Sequence, residues 1–306
     1  MSGRTEHPAD PPAAQEAAHL LSFDVEEYFQ VEAAAATVPR RQWGCYEKRL
    51  EPVVGRILRL LAEQGASATF FVLGWVARNE GAVVARIADA GHEIASHGMD
   101  HRMIQYLTPA QLRRQLCDSR KLLEDIAARP VAGYRAPTFS ITRRTAWALD
   151  VLAEAGFIYD SSVFPIRHDR YGVPGAPAFA HRAVGPGGGS LLEIPPLTVR
   201  VGGANLPFGG GGYFRLLPVS ASARALRIAQ RAGRCGMLYL HPWEFDPDQP
   251  ILPMSRLARW RHRVGLGRSE AKLRRLLRQF RFTDVRTQLG RLREQAGQSY
   301  LYGRRQ

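Results

Sequence analysis

The sequence predicts an α/β protein on a parallel sheet, either a barrel or a doubly wound sheet, and three observations carry that prediction. Apolar runs of strand length alternate with amphipathic runs of helix length through the first 160 residues. Several of the helical runs end at a glycine or just before a proline, residues that stop a helix. The chain has 306 residues, 45% of them hydrophobic, enough to bury a sizeable core.

The elements follow in order. Residues 19–26 read as the first strand and 51–64 as an amphipathic helix ending at Gly65. "SATFFVLG" is a buried strand, 76–90 a helix ending at Gly91, and "HEIASH" a short strand. Residues 108–128 form a helix opened by Thr108-Pro109, where proline gives up no needed N–H, and stopped before Pro130. "VAGYRAP" follows as a strand and 142–156 as a helix closed by Gly156. Beyond Asp160 the texture changes. Residues 165–215 hold many prolines and glycines, including "GPGGG" and "FGGGGYF", and predict loops with short irregular strands. A helix near 219–232 and the strand "GMLYLH" resume the alternation.

The net charge of +14 is concentrated at one end. Residues 251–306 carry 15 Arg or Lys against 3 acidic residues, while the first 250 are nearly neutral. In "SEAKLRRLLRQF" the apolar Leu273, Leu276, Leu277 and Phe280 stand at helical spacing with arginines between them. Such a helix either docks through its leucines with a solvated arginine face, or meets an anionic partner such as a membrane surface or phosphate-bearing glycolipid. Nucleic acid is not expected, because no recognition motif accompanies the charge. Cys45, Cys117 and Cys235 are far apart and odd in number, so they read as free thiols. The first twenty residues lack an apolar segment behind a basic start, and residues 1–17 read as a disordered leader. With no run long enough to span a membrane, the expectation is a cytoplasmic protein, able to sit peripherally at the inner membrane face.

In parallel α/β architectures chemistry gathers at the C-terminal ends of strands. There stand Asp24 and Glu26, then His97 and His101, Arg135, Asp160 and His241. His97 and His101 match a metal-ligand spacing of four, a weak signal alone. A zinc-type ion needs a third protein ligand, which Asp24 or Glu26 can supply. Their spacing of two puts both on one face of the strand, away from Phe23 and Val25. Carboxylates on a buried strand are costly unless paired with a cation or a metal.

"SFDVEEYF", "SHGMDH", "GYRAPTFS", "GFIYDSS" and "LYLHPWEFDP", in that order, resemble the motif series of the polysaccharide deacetylases of carbohydrate esterase family four, the NodB-homology domain. The wording "DVEEYF", "GGGYFRLLP" and "HPWEFDP" is most similar to deacetylases of exosortase and exopolysaccharide loci. The resemblance implies a distorted (β/α) barrel with fewer than eight strands over residues 18–250. Residues 251–306 are then a basic, helical C-terminal extension.

By the same resemblance Asp24 is the catalytic base, and Glu26, His97 and His101 hold one divalent ion, zinc above others. Many relatives have two adjacent aspartates where this chain has Asp-Val-Glu, so Glu27 is an alternative ligand. Arg135 would pair with Asp24, the backbone N–H of Thr138 after Pro137 would receive the oxyanion, and His241 would be the general acid. Pro137, Asp160, Tyr213 and Trp243 are the implied substrate-contacting residues, Asp160 serving equally well as a strand-end cap or an orienting group for His241. Trp243, Tyr213 and Phe214 read more readily as packing than as stacking platforms for sugar. The implied reaction removes N-acetyl groups from amino sugars of a polysaccharide or its lipid-linked precursor. An allantoinase-like amidohydrolase and a silent carbohydrate-binding protein are the rival readings.

Overall fold

The computed structural model describes residues 18–303. The expected disordered leader, 1–17, lies outside them. The first strand, β1 (His19–Val25), is buried along its whole length, as expected of a strand covered on both faces by helices. Helix α1 (Leu50–Glu63), strand β2 (Thr69–Val72), helices α2 (Gly74–Asn79) and α3 (Gly81–Asp89), and strand β3 (Glu93–Ser96) follow. Then come α4 (Pro109–Ala127), β4 (Gly133–Tyr134), α5 (Trp147–Glu154) and β5 (Tyr159–Asp160). Two hairpins occupy the glycine- and proline-rich region: β6 (His181–Val184) with β7 (Ser190–Glu193), and β8 (Thr198–Val201) with β9 (Ala204–Pro207). Helices α6 (Gly211–Leu216) and α7 (Val219–Arg231) lead to β10 (Met237–Leu240). The remainder holds α8 (Arg256–Arg263), α9 (Ser269–Leu277), β11 (Phe282–Thr283), α10 (Val285–Gln295) and β12 (Ser299–Leu301).

The main sheet runs β10-β1-β2-β3-β4-β5-β7-β6-β12, with β11 on the edge of β1. From β10 to β7 every pairing is parallel. These seven strands form the expected α/β core, and β6, β11 and β12 extend it. Parallel order brings the C-terminal ends of β1, β3, β4, β5 and β10 to one rim, where the following loops begin. Among the described residues no helix is long and apolar enough to cross a membrane.

Two helices differ from the sequence reading. The stretch 76–90 is two helices, because Glu80 leaves helical geometry (φ −141°, ψ 42°). The first turn of α2 is tied to the loop after β3, Gly74 N donating to Gly98 O and Trp75 N to Met99 O. A Cβ on Gly74 would fall 2.2 Å from Met99 Sδ and 3.3 Å from its Cα, so any larger residue there would have to displace the Met99 side chain. The direction of α2 is thus set by the histidine loop, and α3 must start afresh to pack on α4. Helix α5 begins at Trp147 because Thr145 Oγ1 accepts from Thr142 N and donates to Ser140 O, fixing residues 140–145 as a turn. By contrast α4 has the expected ends. Thr108 and Gln111 form a capping box, and Ala128 closes the helix in the left-handed region two residues before Pro130.

The basic C-terminal stretch joins the sheet in two places. β11 pairs with β1 below β2, where Thr283 Oγ1 meets Ser67 Oγ at 3.0 Å. β12 pairs with β6, and Tyr302 OH lies 2.8 Å from His181 Nε2. The leucines of α9 are buried, and Arg274 pairs with Glu63 of α1 and Glu270. Helix α9 is therefore docked, with Arg275, Arg278 and Arg281 left exposed.

Leu276 is fully buried. Leu276→Ala is expected to cost about 2–5 kcal/mol in urea unfolding, the range for emptying a core leucine site, whereas Arg278→Ala should stay within about 0.5 kcal/mol. Equal small effects of both would mean that α9 is not part of the folded core.

Candidate active site

The rim is organised by Arg135, which follows β4 and is fully buried. Its Nη1 donates to Asp24 Oδ1 at 2.6 Å and to Ser22 Oγ at 3.0 Å, both from β1. Its Nε and Nη2 donate to the carbonyl and hydroxyl of Ser161 after β5, at 3.2 and 2.9 Å. The guanidinium lies 4.0 Å from the centre of the Phe71 ring, a favourable face for a cation. With Oδ1 held this way, Asp24 has Oδ2 free to face the cleft.

Glu26, His97 and His101 come together at this rim, with ligand atoms all within 4.8 Å of one another. His97 Nδ1 lies 2.8 Å from Arg135 O, so Nδ1–H donates and Nε2 keeps its lone pair. Burial holds His97 down at a pKa of about 4, hence neutral at pH 7 as a ligand must be. Glu26 Oε1 accepts from the Trp243 indole at 3.1 Å. Its Oε2 approaches His101 Nε2 to 2.8 Å, yet it is buried without a hydrogen bond. Burial alone would raise Glu26, but the neighbouring His101, His241 and His97 outweigh it and bring it to about 2. His101 has φ 51°, held there while Arg40 donates to the carbonyls of Asp100 and His101. Two imidazoles and a carboxylate around one point, with an unsatisfied oxygen among them, fit a divalent ion of the zinc type.

Glu27 turns elsewhere. Its Oε1 accepts from Arg49 N at 2.6 Å and Leu50 N at 3.1 Å, which places the carboxyl on the N-terminus of α1. Burial and the charge of Glu80 push it up to about 8.

His241 follows β10. Its Nε2 is 3.9 Å from both Asp24 Oδ2 and Glu26 Oε1. On its other side Nδ1 lies 3.2 Å from Glu244 Oε2, and the same oxygen accepts His241 N at 2.9 Å. Desolvation lowers His241, but the Glu244 hydrogen bond and charge, with Glu26 and Asp24, bring it up to about 9. Glu244 is fully buried and takes Arg215 Nε at 2.7 Å. Arg215 in turn donates to the carbonyls of Arg261, His262 and Val264, tying the site to the end of α8. Sequence reasoning missed both Glu244 and Arg215. The spacing of three between His241 and Glu244 was the available signal, since it is the spacing of a capping box.

Pro137 and Thr138 lie on the loop after β4, where Thr138 (φ 57°) and Phe139 (φ 50°) occupy the left-handed region without being glycine. Ala136 N donates to Ser162 Oγ at 2.7 Å, which anchors the start of that loop. Ser162 is held in turn by Asp160. Asp160 is fully buried beneath the loop, its oxygens engaged by Ser162 and not by His241. Trp243 is packed, the reading its residue type favoured. It is stacked between His241 and His262, ring centroids 5.1 and 4.7 Å away, with its indole N–H on Glu26. Tyr213 stays part-exposed and Phe214 is core.

Residues 40–159 match the family model for polysaccharide deacetylase, and residues 161–290 match a domain of unknown function, DUF3473. A peptidoglycan deacetylase-like protein of Gibberella zeae is 32% identical over 36% of this chain and 32% of its own length. A chitooligosaccharide deacetylase of Rhizobium leguminosarum bv. trifolii is 32% identical over 33% of this chain and 44% of its own length. The matches thus span less than half of either relative. A solved structure described as a "putative polysaccharide deacetylase" of Mycobacterium smegmatis shares the fold, with TM-score 0.62 at 20% identity over 98% of this chain and 99% of that one.

Glu26→Gln should weaken zinc binding by about 100-fold or more, the scale at which even outer-shell changes are felt, in competition with a chromogenic chelator. Glu27→Gln should keep it within a few-fold; the reverse order would move the ligand by one position.

The Asp160–Glu193 pair predicts a pH effect. Burial, then the Asp160 charge, hold Glu193 well above the carboxylate range, and burial raises Asp160 too. The folded pair keeps a proton that the unfolded chain loses near about pH 4. Its contribution to stability is complete below that pH and declines as pH rises towards the folded-state titration. Glu193→Gln supplies a permanent N–H donor, so its Tm should fall less than wild type between about pH 5 and pH 8; parallel profiles would contradict the shared proton.

Proposed function

We propose that this protein, whose residues 40–159 match the polysaccharide deacetylase family model with a DUF3473 match following them, hydrolyses the N-acetyl groups of amino sugars in a glycan, as a metal-dependent deacetylase. The observation that carries the reading is the opposition of two proton carriers beside the Glu26–His97–His101 cluster. Asp24 Oδ2 and His241 Nε2 face each other at 3.9 Å, one a carboxylate fixed by Arg135, the other an imidazolium fixed by Glu244.

A divalent ion in the cluster would supply Lewis-acid polarisation of the acetyl carbonyl and a lowered water pKa. Asp24 takes a proton from the attacking water through Oδ2, since Oδ1 is occupied by Arg135. The Thr138 amide is the proposed donor to the developing oxyanion, on a loop whose start is anchored through Ser162. His241 gives its Nε2 proton to the departing amine, and Glu244 stabilises the charged ring beforehand. The acetyl carbon gains the water oxygen and loses the nitrogen, leaving acetate and a free amino sugar. The likeness of "DVEEYF", "GGGYFRLLP" and "HPWEFDP" to deacetylases of exopolysaccharide loci favours an exopolysaccharide or its lipid-linked precursor as the source of the sugar. The catalytic unit in this reading includes β11 and β12 as well as residues 18–250.

Acetate release from N-acetylglucosamine oligomers should stop with a chelator and return with zinc. Asp24→Asn should lower turnover by about 100- to 10,000-fold, the span of general-base contributions, while zinc affinity is retained. Turnover that survives Asp24→Asn would remove Asp24 from the role of base.

A further inference from the structure

A cavity of about 320 Å³ opens beside the metal cluster and shares His101 with it, a size at the lower end of ligand sites. Its polar lining is almost all donor. Arg40, Arg41 and Arg102 reach it from two loops, together with Gln30 and Trp43. Gln30 and Trp43 are 2% and 3% exposed, and Gln30 Nε2 and Trp43 Nε1 are both buried with no hydrogen-bond partner. The orientation of the Gln30 amide is fixed, because its Oε1 accepts Glu27 N at 2.8 Å and leaves the NH₂ as the free end. Both donors lie closed off behind the wall, so the arginines are what the cavity presents to a ligand.

The charges point the same way. Arg41 is exposed and has no ion-pair partner among the described residues. Among the described residues Arg102 pairs only with Asp100, at 3.2 Å. Arg40 uses Nε and Nη2 on the carbonyls of Asp100 and His101, which offset none of its charge. Glu32 is the single carboxylate in the lining.

We propose that this cavity binds an oxyanion, the carboxylate or phosphate ester of an acidic glycan, on the sugar next to the one that is deacetylated. The inference rests on the deacetylase reading for the identity of the neighbouring sugar, and on the cavity alone for the anion. Guanidinium groups suit either oxyanion through paired hydrogen bonds. The ligand would join Arg41 and Arg102 across the loop that carries His101, so its binding also steadies a residue of the metal cluster.

The test uses the full chain as purified, with glucuronate and inorganic phosphate as probes and tryptophan fluorescence as the readout. Wild type should bind at least one of them, and which one saturates tells a sugar carboxylate from a phosphate ester. Arg41→Gln with Arg102→Gln should weaken that binding about tenfold or more, the scale of a lost charged hydrogen bond, while the charge-matched Arg59→Gln with Arg231→Gln should not. In acetate release, the double cavity variant should raise KM about tenfold more for a hyaluronan tetrasaccharide or a phosphorylated N-acetylglucosamine oligomer than for neutral chitotetraose. Binding of neither anion by wild type, or equal binding by the cavity variant, overturns the proposal. If no substrate releases acetate, the deacetylase reading fails and the anion titration still decides this one.

Discussion

A buried guanidinium governs the geometry of the rim. Arg135 is removed from water altogether, and a charge so placed is tolerated only with a close counter-charge and full use of its donors. It has both: Asp24 at 2.6 Å, Ser22, two atoms of Ser161, and the Phe71 face. Those partners sit on β1, β2 and the end of β5, while the Met237 sulfur of β10 lies 2.9 Å from Nη2. One side chain thus fixes the relative height of the strands whose ends carry the site. The carbonyl of the same residue holds His97 Nδ1, so Asp24 and His97 are positioned by two ends of Arg135.

The remaining side chains are arranged around that tie in pairs. Trp243 orients Glu26, Glu244 orients His241, and Arg215 neutralises Glu244 while gripping the end of α8. The segment matched as polysaccharide deacetylase holds His97, His101, Arg135 and Thr138; the segment of unknown function holds His241, Glu244 and Trp243; Asp24 and Glu26 precede both. The site is consequently a property of the whole sheet. The second segment contributes β6, β7, β10 and β11 to the same hydrogen-bonded ladder, which explains why its residues meet those of the first.

Much of this was legible in the sequence because strand ends announce themselves. Asp24, His97, Arg135 and His241 each follow an apolar run, and the parallel order of those runs brings them to one rim. Side-chain direction was less legible. Glu26 and Glu27 are neighbours with the same chemistry, and only the start of α1, folded back onto Glu27, separates a capping carboxyl from a cluster member. Asp160 read equally well as a cleft residue or a strand-end cap and Trp243 more readily as packing; their surroundings are supplied by Ser162 and Glu193 in one case and by His262 in the other. The Ser162 contact is two residues away, but nothing local records those with Glu193 and His262. The break at Glu80 was hidden for the same reason, since the tie from α2 to Gly98 and Met99 forms only in the folded chain.

The central claim is that the strand ends converge on one divalent-ion site at Glu26, His97 and His101, with Asp24 and His241 beside it. Anomalous diffraction at the zinc edge from crystals grown with zinc tests it most directly. The account predicts one strong peak at about 2.0–2.2 Å from a Glu26 oxygen and a nitrogen of each histidine, with Glu27 still on the N-terminus of α1. A peak coordinated by Glu27, or density for zinc only at surface residues, would contradict it.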